Sequence, residues 1–193
     1  MSLDNMNLTG HFLIAMPNLT DPYFAKSVTF ICTHNQDGAM GIVINRPTDM
    51  SYETLFEKIN IKLEDTAIAN DPVLYGGPVQ PERGFVLHEP FGDWDSSITI
   101  NDKTSLTTSK DILEAVAVGA GPKKLIFSLG YAGWTPNQLE QEIVQNSWLS
   151  VQAKDIETLN KILFDTPHEE QLNAAISLLG FDPAMLSDVA GHA

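Results

Sequence analysis

The chain has 193 residues, 43% of them hydrophobic and 19% charged, which fits a single globular domain over residues 1–193. It carries 25 Asp+Glu against 11 Lys+Arg, a formal net charge of −14, which opposes direct binding to nucleic acid or to an anionic membrane surface. The single cysteine, Cys32, excludes an intramolecular disulfide and any multi-thiolate metal site.

The start, Met1-Ser2-Leu3-Asp4-Asn5, has no basic region, and the apolar run Phe12–Met16 is too short for a secretion signal. No stretch approaches the roughly 18 apolar residues of a membrane span. A cytoplasmic setting is the expectation.

The first two-thirds read as strands broken by turns. His11–Met16 is a short apolar run stopped by Pro17. Ser27–His34 alternates, with Val28, Phe30 and Cys32 on one face and Thr29, Ile31 and Thr33 on the other. Asn35-Gln36-Asp37-Gly38 then signals a turn and Met40–Asn45 a second strand, together a hairpin ended by Pro47. Ser51 is placed to cap a short helix carrying Leu55, Phe56 and Ile59, and residues 60–71 read as loop. Val73–Tyr75 is a strand running into the turn Gly76-Gly77-Pro78. Gly84–His88 is another, stopped by Pro90, with 91–97 as loop. Ile98–Asn101 and Ser105–Thr107 form a hairpin around Asp102-Lys103.

The last third is more helical. Ser109 opens a helix to about Val118, terminated by Gly119 and Gly121-Pro122. Leu125–Leu129 is a continuous apolar strand. Thr135-Pro136-Asn137-Gln138 opens a helix in a capping-box pattern, with Leu139 and Ile143 on one face. Trp148–Val151 is a strand and Asp155–Phe164 a helix. Thr166-Pro167-His168-Glu169 is a second capping box, opening a helix that stops at Gly180. Hairpins first and helices late indicate an α+β domain, not a doubly wound sheet.

Few motifs carry chemistry. In Leu125-Ile-Phe-Ser-Leu-Gly130-Tyr-Ala-Gly133-Trp-Thr135-Pro a strand meets a capped helix through a glycine-containing turn, where free N–H groups and the helix dipole would attract an anion beside Tyr131 and Trp134. The competing reading is a tight turn with core aromatics. The segment lacks the lysine of a P-loop, and Ser128-x-Gly130 lacks the glycine that a nucleophile elbow needs two residues before the serine. Arg46 and Arg83, the only arginines, both sit at turn edges. Brought to one cleft they would hold an anionic ligand bidentately; alternatively each ties down a loop. Cys32 and His34, two apart, would share a strand face and could begin a metal site with His11 or His88, against the plainer reading of a core thiol and a turn histidine. Asp93 and Asp95, flanking Trp94, are either paired carboxylates or a solvated loop. Gly76-Gly77-Pro78 permits close approach of another backbone or a ligand, against the plainer reading of a turn that links two strands.

Several of these stretches occur together in one order. They are His11-Phe-Leu-Ile-Ala-Met-Pro17, Ser27-Val with Cys32-Thr-His34, and Gly38-Ala-Met-Gly-Ile-Val-Ile-Asn-Arg-Pro47. Leu74-Tyr-Gly-Gly-Pro78 with Arg83-Gly-Phe-Val-Leu-His88 follows, then Leu129-Gly-Tyr-Ala-Gly-Trp134 with Gln138-Leu-Glu140 and Asn146-Ser-Trp148, and finally Val189-Ala-Gly-His-Ala193. Over essentially its whole length the chain resembles the bacterial YqgE/AlgH family, which has no established biochemical activity and one branch of which is labelled a transcriptional regulator. The resemblance implies an α+β fold whose mixed sheet splits and curls into a partial barrel with helices packed outside. It supplies no catalytic residue, cofactor or metal. Asn45, Arg46, Gly76, Gly77, Pro78, Arg83, His88, Gly130, Trp134 and Glu140 match its motif positions.

These residues, with Tyr131, form the candidate site. The expectation is a non-enzymatic cytosolic module that binds a protein partner or a small anionic ligand. The rival is an enzyme acting on a small anionic metabolite at the Gly130–Thr135 turn, with His88 or Glu140 as acid or base. A regulator acting directly on DNA is opposed by the charge of −14 and by the lack of a basic stripe.

Overall fold

The computed structural model describes residues 6–180, so residues 1–5 and the motif Val189–Ala193 lie outside it. The strands are β1 (Phe12–Ala15), β2 (Val28–Asn35), β3 (Gly38–Val43), β4 (Pro47–Ser51), β5 (Pro72–Tyr75), β6 (Val79–Glu89), β7 (Ser97–Thr99), β8 (Ser105–Thr107), β9 (Lys124–Trp134) and β10 (Trp148–Val151). The helices are α1 (Tyr52–Lys58), α2 (Lys110–Ala117), α3 (Gln138–Val144), α4 (Ile156–Asn160), which continues into a π-helical turn over Lys161–Asp165, and α5 (Gln171–Ser177).

The strands form one mixed sheet in the order β10-β1-β2-β3-β9-β6-β8-β7. β9 is its spine. Along one edge it pairs antiparallel with β6, from Glu89↔Lys124 to Val79↔Tyr131. Its other edge is divided: Ala132–Trp134 pair with β3, whereas Ser128 and Leu129 pair in parallel with Leu74 and Tyr75 of β5. The sheet therefore splits at β9. Gly76 marks the fork, donating to Leu129 O and accepting from Val43 N, both at 2.8 Å. The fork is a place where backbones touch. A Cβ on Gly76 would lie 2.4 Å from Gly130 O, one on Gly77 2.1 Å from the Tyr131 carbonyl carbon, and one on Gly130 2.3 Å from Gly77 O. Gly77 and Gly130 also have positive φ, 152° and 74°. Only glycine fits at these three positions.

Alternation along the strands sorts the core. Phe12, Ile14, Val28, Phe30, Phe85 and Leu87 face one side, where Leu159, Ile162 and Ala175 of α4, the π-turn and α5 meet them. One cluster thus joins strands from across the sheet order, which requires the sheet to curl around it. The opposite face carries two separate clusters. Leu13, Ala15, Ile31 and Trp134 pack on Leu139 of α3. Val73, Val86 and Phe127 pack on Tyr52 and Phe56 of α1 and Ile112 and Val116 of α2. The α+β class and the split, curled sheet are as expected; α1–α3 lie outside the curl, and α4 and α5 cover its concave side.

Several local expectations are corrected. β2 carries a bulge between Ile31↔Gly41 and Thr33↔Met40, and the extra residue reverses the alternation beyond it. Cys32 joins Val28 and Phe30 inside the curl, whereas His34 bonds to Leu8 and Glu140 on the opposite side, so the two do not share a face. Gly130 is not in a turn: β9 runs through it to Trp134, and the strand-to-helix junction comes at Thr135–Asn137. The capping box there is half made, with Thr135 N–H donating to Gln138 Oε1. At Thr166 no box forms; its hydroxyl donates to Lys161 O, and α5 begins only at Gln171. Pro47 ends one strand but begins β4, and β6 starts at Val79, ahead of Gly84. Ser51 caps α1 as expected, accepting from Thr54 N, but the Ser109 hydroxyl at α2 donates to Asp111 instead.

His88 is fully buried on the outer face of β6. Its Nδ1–H donates to Pro90 O at 2.9 Å, so neutral Nε2 accepts from Thr107 Oγ1 at 2.7 Å, and Thr107 in turn accepts from Ser97 Oγ. Burial lowers its pKa below the ordinary value of 6.5, against a smaller opposing effect of the Pro90 bond.

Two predictions follow from this packing. Gly77→Ala is expected to destabilise by at least about 3 kcal/mol, because the Cβ meets backbone that cannot move without opening the fork. Gly119→Ala, also at positive φ (75°) but with nothing within 4 Å of its Cβ, costs only about 1–2 kcal/mol; urea melts of both separate contact from strain. The lowered pKa of His88 means the unfolded chain takes up the proton first. Its contribution to stability is therefore complete above pH 6.5 and lost as pH falls below it. Melting temperature should drop between pH 7.5 and 5.5, and the drop should shrink in His88→Gln.

Candidate functional site

A cleft of about 810 Å3 lies on the concave face. Its apolar wall is Met40 of β3, Phe85 of β6, Leu106 of β8 and Tyr131 of β9, with the half-exposed Ile98 of β7 beside them. Ser96, Ser97, Thr108 and Thr135 line the rim. Two charged residues line it, Asp37 on the β2–β3 turn and Arg83 on β6.

Arg83 stands at the bulged start of β6. Its guanidinium lies 5.5 Å from the centroid of the Phe85 ring, and Phe85 packs edge-on against Tyr131 at 5.6 Å. Its side-chain hydrogen bond goes to Gln80 Oε1 at 3.2 Å, and it makes no ion pair among the described residues. A cation held on an aromatic platform, with donors to spare, suits a carboxylate or phosphate.

Behind the Trp134 end of the cleft, on the opposite face of the sheet, an acid gathers the packing. Trp134 Nε1–H and Trp148 Nε1–H both donate to Glu142 Oε2 at 2.8 Å, while Gln138 Nε2 donates to Oε1 at 2.9 Å. The two indoles meet edge to face at 5.9 Å. Bonds to a charged acceptor stabilise by about 1.5–3 kcal/mol each, so Glu142 fixes both rings and the start of α3. Sequence reasoning passes over Glu142, since no spacing connects it to tryptophans eight residues before and six after.

The remaining candidates lie elsewhere. Arg46 donates to Pro22 O (2.9 Å) and Ala25 O, and Asn45 accepts from Val28 N (2.9 Å) and donates to Lys26 O (3.0 Å). Both tie the segment between β1 and β2 to the end of β3. Gly76, Gly77, Pro78 and Gly130 make the fork. Glu140 accepts from His34 Nε2–H at 2.8 Å, with His34 Nδ1 accepting from Leu8 N at 3.0 Å, in a neighbouring polar recess of about 630 Å3 that shares Asp37 with the main cleft. His88 lies on the outer face, away from the cleft. Of the eleven candidates, the cleft brings together Arg83, Tyr131 and Trp134. Phe85, Leu106, Ile98 and Asp37 are the lining residues that the sequence did not single out; Phe85 and Leu106 share a face only through the register of β6 with β8, Leu87↔Leu106.

Of the backbone N–H groups expected to hold an anion at Gly130–Thr135, those of Gly130–Trp134 lie in β9, whose Tyr131 is registered with Val79 and whose Ala132–Trp134 are registered with β3, and that of Thr135 donates to Gln138 Oε1. Cys32 is fully buried and burial pushes its thiol pKa up to about 12, which leaves it inert as a nucleophile. Among the described residues no group of three or more His, Cys, Asp or Glu is placed to hold a metal ion. Asp93 and Asp95 are exposed in their loop, with Asp95 N–H bonded to Asp111.

Comparison with known proteins places this geometry. The AlgH-like family model (DUF179) matches residues 12–184. A UPF0301 protein of Azoarcus sp. (strain BH72) is 53% identical over 193 residues, covering all of both chains, and one of Ralstonia nicotianae is 55% identical over 188 residues, covering 97% and 96%. The solution structure of the AlgH protein from Pseudomonas aeruginosa superposes with a TM-score of 0.79 at 43% identity, covering 98% of this chain and 97% of that one. A crystal structure from Corynebacterium diphtheriae, 21% identical with a TM-score of 0.60 over 77% and 78% of the two chains, shares the fold. The chain belongs to the AlgH-like family of uncharacterised UPF0301 proteins.

Proposed function

We propose that the protein is a non-enzymatic binding module of the cytoplasm, whose concave cleft takes a ligand or partner segment carrying an anionic group. The observation that carries this reading is Arg83, held over Phe85 at the edge of an apolar cleft with one side-chain partner. A ligand with an apolar body would cover Phe85, Leu106 and Tyr131 and set its carboxylate or phosphate on the guanidinium, with Asp37 available for a donor at the other side. The enzymatic alternative needs an acid or base at the cleft. His88 is buried away from it, and Glu140 is committed to His34 next door. A regulatory role would run through the cleft's occupant and not through DNA: one arginine can hold one anionic group, but a chain at −14 with no basic stripe cannot neutralise the run of phosphates along a duplex.

No helix of the described residues is long and apolar enough to cross a membrane.

The arginines separate the cleft from the scaffold. Aromatic and aliphatic carboxylates titrated into the protein should shift the NMR signals of the Trp134 indole and the Tyr131 amide, and Arg83→Gln should weaken that binding at least tenfold with a melting temperature nearly unchanged. Shifts scattered over the surface, or indifferent to Arg83→Gln, would overturn the cleft reading. Arg46→Ala should do the reverse. It leaves the shifts in place but costs about 1–3 kcal/mol, because the carbonyls of Pro22 and Ala25 lose their donor.

A further inference from the structure

The sheet order ends at β7, which pairs only with β8 among the described strands. Flanking bonds set the phase of that ladder. Thr108 N–H donates to Ser96 O and Ile100 N–H to Thr104 O, both at 2.9 Å. Hydrogen-bonded pairs alternate in an antiparallel ladder, so Ile98 and Leu106 exchange bonds between these two. Ser97 and Thr99 therefore turn their N–H and C=O groups away from β8, and none of the four is bonded to another element among the described residues. All three residues of β7 are exposed. Proteins usually guard an open edge with a charge, a proline, a bulge or a covering loop. β7 reads Ser-Ile-Thr, carries none of these within it and is guarded only by its length of three residues.

This open edge borders the cleft. Ser96, Ser97 and Ile98 line it together with Arg83. Ile98 stands opposite Leu106, a residue of the interior cluster, so its half-exposed side chain lies on the concave face. In register, the Arg83 end of β6 corresponds to the chain just before Ser97. From the open edge, the cleft and Arg83 we infer that the occupant is an extended peptide segment of another protein. It adds as an eleventh strand beside β7, its main chain bonding to Ser97 and Thr99, alternate side chains entering the cleft beside Ile98, and a carboxylate just past the Ser97 end reaching Arg83. Charge selects the occupant. Arg83 is the one cation lining the cleft, so an acidic residue has a partner there, whereas a second copy would bring two chains of −14 together.

This inference rests on the cleft reading, and its test separates the two. A phage-displayed random dodecapeptide library is panned against the full chain, and the enriched peptides are resynthesised. Enriched peptides should carry an acidic residue beside a β-favouring stretch. N-methylation at every second residue of that stretch should weaken binding about tenfold, and at the intervening residues less than twofold, because only alternate N–H groups meet β7. Thr99→Pro, which removes one outward N–H, should weaken peptide binding about tenfold at an unchanged melting temperature, leaving the carboxylate probes unaffected. Enrichment no better than on Arg83→Gln, or peptides that tolerate N-methylation everywhere, would overturn strand addition. If the carboxylate probes still bound through Arg83, the cleft reading would survive that failure. Sedimentation showing a dimer that Thr99→Pro abolishes would give the edge to a second copy and overturn the inference as well.

Discussion

The fold depends on one strand serving two half-sheets. β9 offers one edge to β6 along most of its length and divides the other between β3 and β5. That division is possible only where two backbones cross at contact distance, and glycine is the residue that leaves room for it. Gly76, Gly77 and Gly130 fill that role together: Gly130 O stands where a Cβ on Gly76 would be, Gly77 O where one on Gly130 would be, and the Tyr131 backbone where one on Gly77 would be. Once the strand forks, the sheet cannot stay flat. It curls, the residues of its concave face converge into one cluster, and the convex face breaks into two clusters with separate helices.

The cleft is a consequence of that curl. α4, the π-turn and α5 cover part of the concave side, and where they stop, Phe85 and Leu106 pass from the core into the cleft wall. The fittings are polar and local. Glu142 gathers two indoles and the start of α3 at one carboxylate, which makes the Trp134 end rigid. At the other end Arg83 rests on an aromatic ring and keeps donors unspent. The contrast with Arg46 is instructive, since both arginines sit at turn edges. Arg46 spends its guanidinium on two loop carbonyls, and Arg83 does not.

Much of the fold was legible because it follows from local periodicity. Alternating apolar residues marked β2, the Asn35–Gly38 turn fixed the first hairpin, the Asp102-Lys103 turn marked the β7–β8 hairpin, and Ser51 and Asp155 cap helices where their side chains can reach the N–H three residues on. The errors have physical causes too. A single extra residue in β2 turned His34 away from Cys32, and no pattern in that strand announces it. Gly130, read as a turn on composition, is a strand residue whose positive φ serves a crossing with a segment over fifty residues away. Thr166 matches a capping box letter for letter, but the backbone there is turning out of a π-helical turn, and the hydroxyl finds Lys161 O first.

The site was legible only in part, for the same reason. Arg83, Tyr131 and Trp134 stood out by residue type, whereas Phe85, Leu106, Ile98 and Asp37 join them only through strand register and curl. The amino-acid sequence by itself determined the α+β class, most strand and helix positions, the acidic character and the family, because each rests on neighbouring residues or on motifs in order. The tertiary structure alone decided which motif glycines touch, which arginine is spent and which is free, that His88 is a buried link in a hydrogen-bond chain, and that β7 ends the sheet with an open edge. Those depend on contacts between residues far apart in the chain, and such contacts exist only once β9 has brought the two half-sheets together.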